Sequence, residues 1–466
     1  MPVLAAYAVP HPPLIIPEVG RGRERGIQDT VDAFCEVARR IAELAPDTIV
    51  ISSPHATLYR DYFHISPGPS ARGSFAAYGA RSASYEVAYD EELALAVEGI
   101  CAREGLACGT GYEREPELDH ATMIPIHFVQ RELADFKLVR IGLSGFNAGE
   151  HYRVGQAIQR AADELGRRIV YIASGDLSHK LTEDGPYGFA PEGPIFDERI
   201  CQAFASGDLL DVLLMDCSLA ERAAECGLRS FQMMAGALDG TPIRAELLSY
   251  EGPFGVGYGV AAFEPAGEEG SDESRRLLPQ WERERAERLA AGRAAESAHV
   301  RLARQSLEAY VREGRRITPG EGLAAELRDT RAGCFVSLKI DGQLRGCIGT
   351  IAPTQESLAQ EICANAISAG TGDPRFDPVT KDELDELVYD VDVLGEPEPI
   401  ASPDELDPAR YGVIVSTPDG RRGLLLPDLD GVDTVEEQLE IAARKGGISL
   451  ISDDVRLERF EVSRYL

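Results

Sequence analysis

Three short apolar runs in this chain end alike, and that coincidence restricts the fold more than any other feature. Val3 to Val9 leads into Pro10-His11-Pro12-Pro13, Asp47 to Ile51 into Ser52-Ser53-Pro54-His55, and Arg168 to Ala173 into Ser174-Gly175-Asp176-Leu177-Ser178-His179. Runs of this length bounded by turn residues read as buried strands. Helical segments near 27–45, 90–104, 152–165 and 228–238 lie among them, with a further strand at 137–143. This alternation predicts βαβ units: an α/β domain whose mostly parallel sheet is flanked by helices on both faces. In such sheets the carboxyl ends of the strands face the ligand crevice, so His11, His55 and His179 are placed to meet in one pocket. Residues 245–250 and 260–263 read as a closing β-element of the same domain.

At 466 residues the chain has room for more than one core. Composition changes after residue 264. Residues 265–280 are polar and turn-rich, and Trp281 to about Ala295 reads as an exposed helix with i,i+4 charge partners. The expected organisation is a first domain over 1–264, a linker and exposed helix over 265–295, and a smaller α+β domain over 296–466. That second domain has helices at 299–312, 356–369 and 435–445 and strands at 333–339 and 388–394. A net charge of −31 argues against nucleic acid and anionic membrane surfaces as partners. No apolar stretch approaches the roughly 20 residues that span a bilayer. Nine cysteines without a Cys-x-x-Cys pair are expected as reduced thiols, and the expected compartment is the cytoplasm.

Seven of the eight histidines precede residue 180, so metal or acid–base chemistry is expected in the first domain. His11 and His55 suit neutral imidazole ligands for a divalent metal. Two histidines and a carboxylate that leave open positions form the pattern of non-haem Fe(II) oxygenases. His127 in its apolar run and His64 in Tyr62-Phe63-His64-Ile65 read as structural, and His151 as exposed near a helix start.

His11-Pro12-Pro13, Ser53-Pro54-His55, Leu118-Asp119-His120 with Pro125 downstream, and Gly175-x-Leu177-Ser178-His179 together resemble the class III extradiol dioxygenases of the LigB superfamily, including its Memo-like branch. The resemblance spans the first domain. It implies that His11 and His55 bind the metal and that His120 and His179 line the substrate site, with His179 as the acid–base residue. On that reading Asp176 would orient the His179 ring or stabilise its cation. The family's third ligand falls in Ala224-Glu225-Cys226-Gly227. Glu225, which would complete a facial triad suited to Fe(II), is preferred. Cys226 is the alternative, admits zinc or copper and points to the Memo-like branch; Glu246 and Glu251 are outside candidates. The implied substrates are a small catechol-like aromatic and O2.

In the second domain Leu344-Arg345-Gly346-Cys347-Ile348-Gly349-Thr350 resembles the signature of AMMECR-type domains, supported by Asp373-Pro374-Arg375-Phe376 and Gly423-Leu424-Leu425-Leu426-Pro427. Cys347 is a candidate nucleophile or redox thiol and Arg345 a candidate anion clamp. Against this, no histidine lies nearby in sequence to activate the thiol, and a tight turn around a buried cysteine is the simpler reading. The order of the two domains is similar to that of the AmmeMemoRadiSam family, which implies a radical-SAM protein as partner.

Overall fold

The computed structural model describes residues 2–266, 272–320, 322–429, 431–432 and 434–466; residues 267–271 of the expected linker lie outside them. The chain divides into two compact units, 1–285 and 286–466. Among the described residues no helix is long and apolar enough to cross a membrane.

In the first unit β1 (Val3–Val9), β2 (Thr48–Ser53), β3 (Lys137–Gly142), β4 (Ile169–Ser174), β5 (Ile243–Glu251) and β6 (Tyr258–Pro265) form one sheet in the order β3-β2-β4-β1-β6-β5. β2 runs parallel to β3 and β4, and β1 parallel to β4. The expected closing element is the antiparallel pair β5–β6, docked on β1. Successive strand residues point to opposite faces, and both faces here are covered. Ala5, Tyr7 and Val9 join a core with Phe34 of α1 (Gln28–Leu44) and Phe128 of α2 (His120–Glu132). Ala6 and Ala8 join the opposite core, with Tyr152 of α3 (Ala148–Glu164) and Phe231 of α4 (Leu228–Ala237). That is why the strands read as unbroken apolar runs. Each large side chain buried in this way stabilises the fold by roughly 1.5–3 kcal/mol.

Among the elements beyond the sequence reading are α2, the helix Glu192–Ser206 and the hairpin of Ser70–Phe75 with Ala80–Ala88. α2 escapes detection because Pro125 lies inside it, where proline ordinarily ends a helix. The exposed helix expected from Trp281 is α5 (Leu278–Ala295). Its indole is buried, and a Cβ on Gly149 of α3 would lie only 2.5 Å from it. The helix is therefore rooted in the first unit's core.

Among its described residues the second unit has two antiparallel sheets. One contains β7 (Cys334–Ile340), β8 (Gln343–Gly349), β9 (Val388–Leu394) and β14 (Val462–Tyr465), in the order β8-β7-β9-β14. The other joins β10 (Glu398–Ile400), β11 (Gly412–Ser416), β12 (Arg422–Leu425) and β13 (Arg456–Phe460), in the order β10-β13-β11-β12. The helices α6 (Ala298–Glu313) and α7 (Leu358–Thr371) share the first sheet's core, and α8 (Val435–Lys445) that of the second. The expected α+β class is what forms.

Candidate metal centre

β1, β2 and β4 are neighbours, and each places its following residues at the same edge of the sheet. His11 follows β1 and is fully buried. Its backbone N–H donates to Asp176 Oδ1 at 2.6 Å, tying the loop after β1 to the loop after β4. Its Nδ1 lies 3.1 Å from Ser174 Oγ, and that hydroxyl donates to the Ala121 carbonyl at 2.8 Å. A Ser174 proton given to that carbonyl would leave the hydroxyl to accept from a His11 Nδ1–H, and His11 Nε2 faces His55 and Cys226.

His11 Nε2 lies 3.2 Å from His55 Nε2 and 3.5 Å from Cys226 Sγ. All three donor atoms fall within 4.8 Å of one another. Two donors held 2.0–2.3 Å from one ion at a tetrahedral angle are about 3.3–3.8 Å apart, so the two spacings from His11 Nε2 are close to those around a bound divalent metal. The third member of this group is Cys226, the alternative to Glu225 in that segment. The Glu225 carboxylate instead accepts the Leu228 N–H at 2.6 Å, capping the start of α4. That orphan helix N–H needs an acceptor, and Glu225 supplies it. Glu246 and Glu251 are also occupied elsewhere, with Arg40 and Thr30 respectively.

His120, the first residue of α2, brings its ring 4.3 Å from that of His55 and 5.4 Å from that of His11. Asp119 holds it there: its carboxylate caps α2 at Thr122 N and accepts from Ser53 Oγ at 2.7 Å, linking this helix to the His55 loop. His179 is close enough to His11 for its charge to be felt there, and its own N–H is held by the Ala223 carbonyl. Tyr78 packs edge-on against His120 at 5.6 Å and Tyr187 against His179 at 5.2 Å, and both tyrosines are exposed. Neither tyrosine is marked in the sequence, because neither belongs to a quoted motif and no periodic strand or helix pattern covers it.

The contacts of the Asp176 carboxylate run to His11, with Oδ1 on the backbone N–H and Oδ2 3.9 Å from Nε2. Burial pushes Asp176 up to about 7, against the lowering effect of the His11 N–H. Burial also lowers His11, His55 and His179, and takes His120 down to about 4. All four imidazoles are therefore neutral near pH 7, able to ligate a metal or accept a proton. Burial raises the Cys226 thiol well above its usual value, with the charges of Asp176 and Glu225 adding to the effect. Such a thiol is deprotonated by metal binding.

Behind His179, buried Asp197 accepts Ser178 N–H at 2.7 Å and Tyr250 O–H at 2.8 Å, fixing the loop on which His179 stands. Burial raises Asp197 from 3.8 to about 7. The folded state thus holds a proton that the unfolded chain has released. This contribution to stability is full below pH 3.8 and is lost as pH rises through about 7. Asp197→Asn, whose amide can serve both partners, is expected to gain on the wild type by up to about 1.4 kcal/mol per pH unit across that window. Urea unfolding at pH 5, 6 and 7 checks this; a difference that stays flat would contradict it.

The remaining histidines of the first unit are buried. His127 meets Tyr85 O–H at 2.7 Å, and His64 lies 3.7 Å from Glu113. His151, expected to be exposed, is fully buried: Nδ1 reaches the Asn147 carbonyl at 2.9 Å, and Nε2 accepts from Ser144 N–H. Burial takes it down to about 3.

In the second unit Arg345 does not stand free as an anion clamp. Its guanidinium holds Glu383 at 2.6 Å and the Asp377 carbonyl at 2.9 Å. Cys347 lies in β8 and not in a tight turn. It is half-buried, its N–H goes to Asp373, and its thiol accepts from Ser337 O–H at 3.3 Å.

A family model described as the catalytic LigB subunit of aromatic ring-opening dioxygenase matches residues 5–261, and the AMMECR1 model matches residues 300–465. A protein of Clostridium acetobutylicum is 41% identical over 467 residues, covering 98% of each chain. A protein of Thermotoga maritima is 56% identical over 171 residues, which are 36% of this chain and 98% of that protein. A crystal structure of a Pyrococcus horikoshii protein, 32% identical, covers 36% of this chain and 88% of that one with a TM-score of 0.34. The chain belongs to the LigB family, with an AMMECR1 domain following the LigB domain.

Proposed function

We infer that the first domain is a metal-dependent redox site of the Memo-like kind, acting on a small phenolic or related aromatic substrate. The observation that carries this reading is the donor set. A thiol stands where a facial triad would have a carboxylate, and a thiolate with two imidazoles suits iron, copper or zinc. Iron or copper bound there would supply electron transfer. The residues of the chain supply the rest. His11, His55 and Cys226 hold the ion, Asp176 and Ser174 fix His11, and Tyr78 and Tyr187 flank the crevice as aromatic walls. Neutral His179 takes the phenolic proton, and His120 offers a hydrogen bond to the substrate.

A second reading, extradiol ring cleavage with O2 at Fe(II), is favoured by the four neutral imidazoles grouped around one crevice. The two readings separate on product mass. Protein purified anaerobically, loaded with Fe(II) or copper and given a catechol with O2, yields a product two oxygen atoms heavier if the ring is cleaved. The redox reading expects an oxidised product without added oxygen. No turnover with any of these metals would sink both. His179→Gln is expected to lower turnover about 10²–10⁴-fold with metal content unchanged, as measured by initial rates beside elemental analysis. The likeness to AmmeMemoRadiSam proteins supports a radical-SAM partner, which co-purification from cells expressing both proteins would test.

A further inference from the structure

Pro125 is the sixth residue of α2 and is buried within it. In an α-helix the N–H of residue 125 would donate to the carbonyl of residue 121. Proline has no N–H, and its ring presses on that same carbonyl. The Ala121 carbonyl therefore loses its helical donor in a part of the core where a polar group without a partner is costly. Ser174 Oγ, at the end of β4 and also fully buried, donates to it at 2.8 Å.

The consequence reaches the metal site. A serine hydroxyl has one proton to give, and giving it to Ala121 obliges Ser174 to accept from His11 Nδ1 at 3.1 Å. The opposing pull comes from Asp176, whose Oδ2 lies 3.9 Å from His11 Nε2 and favours a proton there. A proton on Nε2 would point N–H at Cys226 Sγ and His55 Nε2, which are 3.5 and 3.2 Å away, and would shut out a metal.

We propose that Pro125 is a positioning residue for the metal site: by freeing the Ala121 carbonyl it commits the Ser174 proton and so fixes the His11 tautomer that presents a lone pair to the ion. Restoring an N–H at residue 125 returns the carbonyl to the helix and releases Ser174 to donate to His11 Nδ1. The metal consequence rests on the His11–His55–Cys226 reading; the tautomer does not.

The test uses the full-length, metal-free protein with ¹⁵N-labelled histidine, the His11 signals being assigned by their loss in His11→Gln. The wild type is expected to show His11 protonated at Nδ1, and Pro125→Ala to move population to Nε2–H. Zn²⁺ affinity is expected to fall about 10–100-fold in Pro125→Ala and equally in Ser174→Ala, with melting temperature kept or raised in the proline variant. In the double variant the loss should not exceed that of the larger single, because both act through one relay. A wild-type His11 protonated at Nε2 overturns the proposal, as do additive losses. Should Pro125→Ala fail to fold, the wild-type spectrum and Ser174→Ala still decide. A correct tautomer in a protein that binds no Zn²⁺ would remove the metal reading and leave the relay standing.

Discussion

Cys226→Ala will bind metal more weakly than the wild type by more than about a hundredfold, while Glu225→Gln will keep its metal within a few-fold. Loss of a group that merely orients a ligand costs 10–100-fold, so loss of the ligand itself should cost at least as much. The two neighbours part so sharply because adjacent residues in an irregular segment point in different directions. Cys226 Sγ faces His11 Nε2 at 3.5 Å, whereas the Glu225 carboxylate is turned to Leu228 N–H at the start of α4. Glutamine can accept that N–H as glutamate does, so Glu225→Gln tests ligation without removing the cap. Alanine at 225 would remove both and blur the answer. Equilibrium dialysis against Zn²⁺ or Fe(II), followed by elemental analysis, reads the result. The reverse pattern, with metal kept in Cys226→Ala and lost in Glu225→Gln, would restore a carboxylate triad and the ring-cleavage reading with it.

The distance between those two outcomes shows where sequence reading reaches its limit. His11 and His55 were legible because a strand has one carboxyl end, and in a parallel sheet those ends lie together. Choosing between Glu225 and Cys226 required the backbone of a segment outside any regular element, and periodicity says nothing about that. The same limit explains Asp176. Its spacing to His179 suggests a pair, but the carboxylate is used across the sheet by His11, 165 residues away in the chain. His151 differs for another reason: a polar residue near a helix start reads as exposed, yet here its ring packs edge-on against Phe63 and finds partners in the Asn147 carbonyl and the Ser144 N–H of the preceding loop. Pro125 was visible and misleading, since the rule that proline ends helices hid the element to which His120 belongs.

Gly175→Ala is expected to disable the metal site as thoroughly as removing a ligand, although residue 175 donates nothing to the ion. A Cβ added at Gly175 would lie 2.1 Å from the Gly227 Cα and 3.1 Å from its nitrogen, so the backbones after β4 and before α4 are in direct contact. A flexible side chain could swing away from such a contact, but a backbone held by hydrogen bonds cannot. Gly175 N–H is fixed to the Val9 carbonyl at 2.9 Å, and on the other side a Cβ at Gly227 would meet the Phe231 ring at 2.5 Å. The strain must therefore move the 225–227 segment outward, taking Cys226 away from His11. Overpacking of this sort costs about 1–3 kcal/mol, which a domain with two full cores can survive. The expected protein is folded, somewhat less stable in urea, and unable to hold Zn²⁺ at concentrations that saturate the wild type. Gly292→Ala is the control: it lies in α5 with no atom within 4 Å, and should leave affinity unchanged. Wild-type affinity in Gly175→Ala would mean that the loop yields without cost to the site. Lost affinity in a folded protein would show that the approach of two loop backbones, and not the donor residues alone, sets the spacing of the His-His-Cys group.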